Sequence, residues 1–305
     1  MITVQDLTFE YPGLRALDNV SFQIAHNTVT ALVGPNGAGK TTLMRCLCGL
    51  EIPVSGNIVI DRIDVIEQPR RSHKRIGYLS DFFGLYDELT IRQCLQYAAK
   101  ANSATGNIVD ATELIAENLR LETRLDQRVR ELSRGLRQRV AIGQAIIHEP
   151  KVLVLDEPAS GLDPEARHDL AELFKRLQKT GMTLLVSSHI LAELEAYATD
   201  MLVIREGKIV EQRSLGVRSS VLRRLAIEVF DEPTALNQLL SERTEISNLV
   251  VTGNRILCSM DGDDSQQSKL LSDLIKADMQ IVNFSVIERD LQQSYLDSIK
   301  ESKST

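Results

Sequence analysis

The stretch that most constrains this chain is residues 34–42, which read GPNGAGKTT. The apolar, β-branched run TVTALV directly before it predicts a buried strand, and a helical pattern starts near Lys40. A glycine loop in this context turns tightly and aims backbone N–H groups inward, and the helix N-terminus adds roughly half a positive charge. The stretch therefore predicts a site for the phosphates of a nucleotide.

Each residue of this loop is a candidate nucleotide contact: Gly34, Pro35, Asn36, Gly37, Ala38, Gly39, Lys40, Thr41 and Thr42. We expect the Lys40 ammonium to reach the β- and γ-phosphates of a triphosphate. The Thr41 hydroxyl is expected to occupy a coordination position of Mg²⁺. By itself, the pattern indicates only nucleotide binding.

Composition narrows the class of protein. With 305 residues, of which 43% are hydrophobic and 25% charged, the chain can form one large α/β domain and a small second one. It has no run of eighteen apolar residues and no apolar leader, so we expect a cytoplasmic chain without a membrane span. A net charge of -7 argues against binding to nucleic acid, and none is expected as a partner.

The cysteines do not indicate a metal site. Cys46 and Cys48 point to different faces of the predicted helix, and Cys94 and Cys258 stand alone. We expect all four to be reduced thiols that serve as small apolar residues.

Two acidic residues follow a second apolar run. The run KVLVL predicts a strand buried on both faces of a parallel sheet, with Asp156 and Glu157 at its carboxyl end, where ligands bind. Adjacent residues of a strand point to opposite sides, so one carboxylate could face Mg²⁺ and the other the space beyond the γ-phosphate. Two ordinary solvent-facing acids are the alternative. His189 follows the next predicted strand at the same edge, so phosphate contact is favoured over a surface position.

Two further features leave alternatives open. Tyr11 lies at the loop between two predicted edge strands, residues 2–9 and 20–24, where it either packs against them or stacks on an adenine ring. The basic run at residues 70–75 either forms a solvated face or meets acidic lipid headgroups or a partner.

Taken in order, these motifs resemble those of the ATP-binding subunits of ABC transporters, from Met1 to about Leu215. The order is the phosphate loop, the signature at residues 132–136, the pair Asp156–Glu157, the stretch SGLD at 160–163 and a histidine. The family signature LSGGQ is LSRGL here, with Arg134 in place of the middle glycine. Similar variants occur in members paired with separately encoded, exporter-type permeases.

The resemblance implies a head-to-tail pair of subunits, with each ATP held between the phosphate loop of one chain and the signature of the other. It implies an adenine platform at Tyr11 and catalytic roles for a further set of residues: Lys40, Ser133, Gly135, Glu157 and His189. Metal ligation is implied for Thr41 and, through water, for Asp156. Where the family usually has a metal-contacting glutamine after IGYL, this chain has Asp81, which we include as a candidate metal ligand.

The function implied is ATP hydrolysis, with Mg²⁺, that drives a permease on another chain, with export favoured. Such a subunit would lie on the cytoplasmic face of the cell membrane, and a homodimer is favoured over a heterodimer. The alternative is a soluble ABC-type ATPase that acts on the ribosome or on DNA. Members of that class normally carry two cassettes or long coiled coils, and this chain has neither pattern.

The fold class expected is α/β: a P-loop NTPase cassette of the ABC type with a mixed sheet, an antiparallel edge subdomain and a helical subdomain. We assign the cassette to residues 1–215, its helical subdomain to about 85–148 and a linker to 216–224. Residues 225–305 show the order β-α-β-β-α-β, which predicts a ferredoxin-like accessory domain. That domain either stabilises or dimerises the protein, or binds a regulatory ligand.

Overall fold

The computed structural model describes residues 1–102, 106–188, 194, 196–215 and 223–287. The chain forms two compact units, Met1–Gly216 and Val217–Thr305. His189, residues 216–222 of the predicted linker and residues 288–305 of the predicted accessory domain lie outside the described residues.

The first unit contains two sheets. Its strands are β1 (Ile2–Tyr11), β2 (Leu14–Ile24), β3 (Val29–Val33), β4 (Ser55–Ile60), β5 (Ile63–Asp64), β6 (Ile76–Leu79), β7 (Val152–Leu155), β8 (Thr183–Ser188), β9 (Asp200–Arg205) and β10 (Lys208–Ser214). Its helices are α1 (Lys40–Leu47), α2 (Pro69–His73), α3 (Ile91–Ala101), α4 (Ile108–Asn118), α5 (Arg134–Ile146) and α6 (Pro164–Lys179).

The central sheet has the order β10-β9-β3-β8-β7-β6 and is parallel except for β10. Every residue of β3, β7 and β8 is buried, as expected for strands covered on both faces. The carboxyl ends of β3, β6, β7 and β8 therefore meet at one edge. The phosphate loop leaves this edge, and so does the acidic pair.

A second, antiparallel sheet has the order β2-β1-β4-β5. Its β2 begins at Leu14, earlier than the predicted residue 20. The pairing of β1 with β2 shifts register between Leu7 and Phe9, and Asn19 has a φ of 52°. Such irregularities break the alternation of apolar and polar residues on which the prediction depended. The apolar sides of this sheet and of the central sheet share one core, which includes α1.

The helices α3, α4 and α5 pack on one another beside the central sheet, as the predicted helical insertion requires. Thr90 caps α3, and its hydroxyl accepts from the N–H of Gln93. Among the described residues, no helix combines the length and the apolar character needed to cross a membrane. All four cysteines are free and buried, and burial raises the pKa of Cys46 to about 12, so these thiols stay protonated.

The second unit contains β11 (Arg223–Val229), α7 (Thr234–Ser241), β12 (Ile246–Thr252), β13 (Arg255–Met260), α8 (Asp264–Lys276) and β14 (Ile281–Ile287). Its sheet is antiparallel with the order β12-β13-β11-β14. The predicted hairpin turns at Gly253 and Asn254. A small core of its own includes Leu225, Ile256 and Leu270. The order of elements and of strands confirms the ferredoxin-like prediction.

Candidate functional site

The phosphate loop connects the end of β3 to the start of α1. Gly39 caps the helix with a φ of 105°, a conformation that side chains rarely adopt. A β-carbon built on Gly39 would also lie 2.8 Å from the carbonyl oxygen of Ala16, so the loop can take this path only with glycine there. The helix N-terminus and the loop N–H groups are thereby placed together.

Lys40 is buried, and its ammonium lies against its own loop. The Nζ atom donates to the carbonyl oxygens of Gly34 at 2.8 Å and Pro35 at 3.3 Å, and it lies 3.8 Å from Oε1 of Glu157. A buried cation needs partners because its desolvation is costly. Phosphate oxygens of a nucleotide can replace the carbonyl partners when the ligand binds.

Asp156 is 1% exposed, and both of its carboxylate oxygens accept hydrogen bonds. The Thr41 hydroxyl donates to Oδ2 at 2.7 Å, and the Ser187 hydroxyl donates to Oδ1 at 2.6 Å. Bonds to a charged acceptor are the stronger kind. Asp156 is therefore fixed between α1 and β8.

Glu157 has a φ of 48°, which is unusual for a residue other than glycine. Its N–H donates to the Ser187 hydroxyl at 2.8 Å, so one serine positions both acidic residues. The carboxylate of Glu157 extends toward Lys40, whereas that of Asp156 extends toward Thr41. Both acids lie beyond the end of β7, so strand alternation does not set their directions, and their division of roles stays a prediction.

The oxygens of Thr41 and Asp156 fit Mg²⁺, which prefers oxygen ligands and usually binds through one or two carboxylates together with substrate phosphates. The described residues contain no cluster of three or more His, Cys, Asp or Glu side chains that could hold a metal alone. The ion would therefore bind together with the nucleotide.

Asp81 lies two residues beyond β6, at the same sheet edge. Leu79 is the register partner of Leu155, and the N–H of Asp156 donates to the carbonyl of Leu79 at 2.9 Å. The carboxylate of Asp81 is exposed and makes no hydrogen bond to Thr41 or Asp156. Its predicted role as a metal ligand stays a prediction.

The signature residues lie at the start of α5, whereas the phosphate loop leads into α1. Ser133 caps the helix and accepts from the N–H of Leu136 at 3.4 Å. Gly135 faces α6, where a β-carbon would lie 3.1 Å from Cβ of Ala166. The exposed Ser133 hydroxyl is thus free of the protein core and presented at a helix N-terminus.

Tyr11 ends β1 and is 38% exposed. Its ring meets that of Phe9 edge to face, with the ring centres 4.9 Å apart. Packing against Phe9 leaves part of the ring accessible, so the adenine-platform role stays a prediction.

Ser187 is a residue of the described site to which the motifs assigned no role. It is fully buried and contacts both Asp156 and Glu157. Its position near the end of the strand that precedes His189 could have indicated a role, because the carboxyl ends of parallel strands lie together.

A family model described as "ABC transporter" matches residues 17–160, which include the phosphate loop, the signature and the acidic pair. Nod factor export ATP-binding protein I of Burkholderia pseudomallei (strain 1710b) is 32% identical over 88% of this chain and 89% of its own length. The protein of the same name from Paraburkholderia xenovorans (strain LB400) is 35% identical over 78% and 80%.

Solved structures of similar proteins agree. An ATP-binding subunit of an ABC transporter covers 70% of this chain and 90% of its own, with 31% identity and a TM-score of 0.63. An ATP-binding cassette in its ADP conformation covers 71% and 91%, with 26% identity and a TM-score of 0.64. These matches and the site geometry confirm the predicted family and cassette fold, and they show a nucleotide-binding site. The chain therefore belongs to the ATP-binding subunits of ABC transporters, which hydrolyse ATP to drive transport.

Proposed function

We propose that this chain hydrolyses ATP, with Mg²⁺, as a homodimer that drives export through an integral membrane permease on another chain. The observation that carries the proposal is that Ser187 bonds to both Asp156 and Glu157 while Thr41 bonds to the other oxygen of Asp156. This arrangement supports hydrolysis because it holds a carboxylate for the attacking water beside oxygens for the metal. Export is supported by the names of the relatives that match most of the chain.

Within one chain, Lys40 binds the phosphates, and Thr41 with Asp156 binds the metal that accompanies them. A Mg²⁺ ion held there would supply positive charge that offsets the charge of the β- and γ-phosphates. Glu157, held by Ser187, orients the attacking water and accepts its proton in the space beyond the γ-phosphate. His189 is assigned to γ-phosphate contact and Tyr11 to adenine stacking.

Each ATP site is completed by the partner chain. Ser133 and the N–H groups at the start of α5 in one chain stabilise the charge of the γ-phosphate of the ATP that the partner chain holds. The exposed hydroxyl of Ser133 and the absence of acidic residues in the first turn of α5 suit this role. Two identical chains then form two identical sites, as a closed two-fold dimer requires.

We assign the contact with the permease to a groove whose lining includes Ser80, the residue before Asp81. It has a volume of about 450 Å³ and lies between β6, α3 and α5. Its lining includes Phe83 and the exposed Tyr97, whose ring contacts that of the exposed Tyr86 with the ring centres 6.0 Å apart. Phe82, next to Phe83 in the sequence, is 92% exposed. Exposed aromatic residues of this kind are enriched where proteins bind one another.

The groove also contains a polar group that lacks a hydrogen-bond partner among the described residues. This group, the hydroxyl of Tyr78, is buried on the wall of the groove. Burial, followed by the nearby charge of Asp156, raises the pKa of Tyr78, so this hydroxyl stays protonated and can donate. We assign the groove to a cytoplasmic helical segment of the permease that offers an acceptor there. A related cassette from Clostridium perfringens, 28% identical with a TM-score of 0.64, is part of an ABC transporter complex.

This partner places the protein on the cytoplasmic face of the membrane. The cassette is assigned to residues 1–215, with residues 225–305 as an accessory domain that stabilises or dimerises the protein. A soluble role on the ribosome or on DNA gains no support from the relatives, which are named for export.

Co-purification tests the proposal. The tagged full chain is isolated from membranes in mild detergent, beside Phe82→Asp and the control Val109→Asp, which alters an exposed apolar residue of α4. We expect the wild type and the control to retain one integral membrane protein that stimulates ATP hydrolysis, and Phe82→Asp to lose it. Recovery of ribosomes or DNA in place of a membrane protein would contradict the proposal.

A further inference from the structure

Arg134, the first residue of α5, packs its side chain on a loop of the same chain. A β-carbon built on Gly161 would lie 2.5 Å from Cζ of Arg134, and 2.6 Å and 2.9 Å from its two terminal nitrogens. Because Cζ is closer than either nitrogen, the flat face of the guanidinium covers the α-carbon of Gly161. Gly161 also has a φ of 68°, a conformation that favours glycine, and a side chain at this position would have to displace the guanidinium.

The guanidinium of Arg134 is held there by packing and not by a carboxylate. Two other arginines of α5 are paired, Arg137 with Asp87 at 2.8 Å and Arg139 with Asp169. Arg134 has no such pair within the part of the chain that the structure describes. A cation is also unfavourable at a helix N-terminus, so local helix electrostatics do not explain an arginine at this position.

Gly161 belongs to a short stretch that begins at Glu157. The N–H of Ser160 donates to the carbonyl of Glu157 at 3.1 Å, and the N–H of Leu162 donates to the carbonyl of Ala159 at 3.2 Å. These consecutive turns leave little slack between Gly161 and Glu157. A displacement of Gly161 therefore shifts the backbone that carries the Glu157 carboxylate.

We propose that Arg134 is a positioning residue that couples the two ATP sites of the dimer, an inference that rests on the proposed function. In that dimer, Ser133 of one chain faces the ATP held by the other chain, whereas Glu157 serves the ATP of its own chain. Arg134 is bonded to Ser133 and packs on the loop that begins at Glu157. One site therefore sets the position of the water-orienting carboxylate in the other.

The departure from the family signature supports this role. A glycine at position 134, as in LSGGQ, has no side chain that could reach Gly161. The arginine adds a contact that the usual signature lacks, between two segments that serve different nucleotides.

The test uses mixed dimers of full-length chains in which only one chain can hydrolyse ATP. A limiting chain with an intact Glu157 is mixed with an excess of E157Q chain, so that both sites hold ATP, and a single turnover is started with Mg²⁺. R134A is placed either in the limiting chain or in the excess chain. Closed dimer is quantified in the same mixtures by size-exclusion chromatography.

We expect R134A in the limiting chain to lower the single-turnover rate about tenfold. In the excess chain it should change the rate by less than about twofold. R137A is the matched control, because it removes the same charge from the same helix without touching Gly161, and neither placement should matter. R134K keeps the charge but lacks the flat face, so it should behave like R134A.

If R134A lowers the single-turnover rate only when it is in the excess chain, Arg134 acts on the partner's nucleotide. If both placements lower the rate equally, or neither does, Arg134 does not position Glu157. Each of these results overturns the inference. G161A gives a second route, because its β-carbon displaces the guanidinium and alanine is strained at this φ. It should lower the rate in the limiting chain, and R134A should add nothing to that loss. Additive losses would also contradict the inference. If no closed dimer forms even with E157Q alone, the proposed function itself fails.

Discussion

The Thr41 hydroxyl and the Asp156 carboxylate meet at 2.7 Å across 115 positions of sequence. One residue belongs to the first turn of α1, which follows β3, and the other follows β7. These two strands flank β8 in the parallel sheet, so both residues reach the same sheet edge. Ser187 holds the second oxygen of Asp156 and the N–H of Glu157. Ser187 therefore supports both Asp156, the proposed metal ligand, and Glu157, the proposed hydrolytic carboxylate.

Ser187→Ala tests this support. The change leaves one oxygen of a buried carboxylate without its donor, which should lower the free energy of unfolding by about 1–3 kcal/mol. It should also lower kcat about tenfold with little change in KM, because Glu157 loses its anchor. Urea unfolding and steady-state ATPase measurements check both values.

Ser72→Ala is the matched control for that variant. Ser72 is also fully buried, but it lies in α2, where its hydroxyl donates to the carbonyl of Pro69. No proposed nucleotide contact belongs to α2. We expect Ser72→Ala to lower the free energy of unfolding and to leave kcat unchanged. Equal kcat values for the two variants would contradict the role assigned to Ser187.

Mixing two inactive variants tests the composite site. A Ser133→Arg chain has an intact phosphate loop, and a Lys40→Ala chain has an intact signature, so a mixed dimer contains one complete site. We expect ATP hydrolysis to return in the mixture, and its rate to depend on the ratio of the two chains. If demonstrated mixed dimers stay as inactive as their parents at every ratio, the assignment of Ser133 to the other chain's ATP is wrong.

Asp81→Gln tests the altered position after β6. A carboxylate there adds attraction to Mg²⁺ and repulsion from the γ-phosphate, and the two largely cancel at an effective dielectric constant of about 20. We expect basal ATPase to change by no more than roughly threefold, or under about 1 kcal/mol of barrier, and stimulation by the permease to change more. A loss of about a hundredfold in the isolated subunit, rescued by added Mg²⁺, would instead make Asp81 a metal ligand.

Truncation tests the independence of the two units. A chain that ends near Leu215 keeps every described residue of the nucleotide site and the whole core of the cassette. It should bind ATP with the affinity of the full chain, which equilibrium dialysis can measure. Loss of binding in a truncated chain that circular dichroism shows to be folded would require a different domain division.

The sequence predicted those parts of the fold that local pattern determines. The apolar runs before the phosphate loop and before Asp156 form β3 and β7, as predicted. The order β-α-β-β-α-β was likewise readable in the second unit. Where bulges interrupt the alternation, as before residue 20 in β2, the predicted boundary was wrong.

Contacts between distant segments could not be predicted in this way. The bond from Ser187 to Asp156 depends on the register of β7 with β8, in which Leu155 pairs with Val186. The packing of Arg134 on Gly161 depends on how α5 meets the loop before α6. A signature variant could be recognised from sequence, but the surface on which its side chain lies could not.

We infer that ATP closes two copies of this chain around shared sites and that hydrolysis, which depends on Glu157, reopens them. Size-exclusion chromatography with light scattering on the Glu157→Gln variant, with and without ATP, measures this closure. We expect a monomer without ATP, a stable dimer with ATP and hydrolysis reduced at least about a hundredfold. A variant that stayed monomeric with ATP and hydrolysed it at the wild-type rate would exclude both the ATP-driven dimer and the role of Glu157.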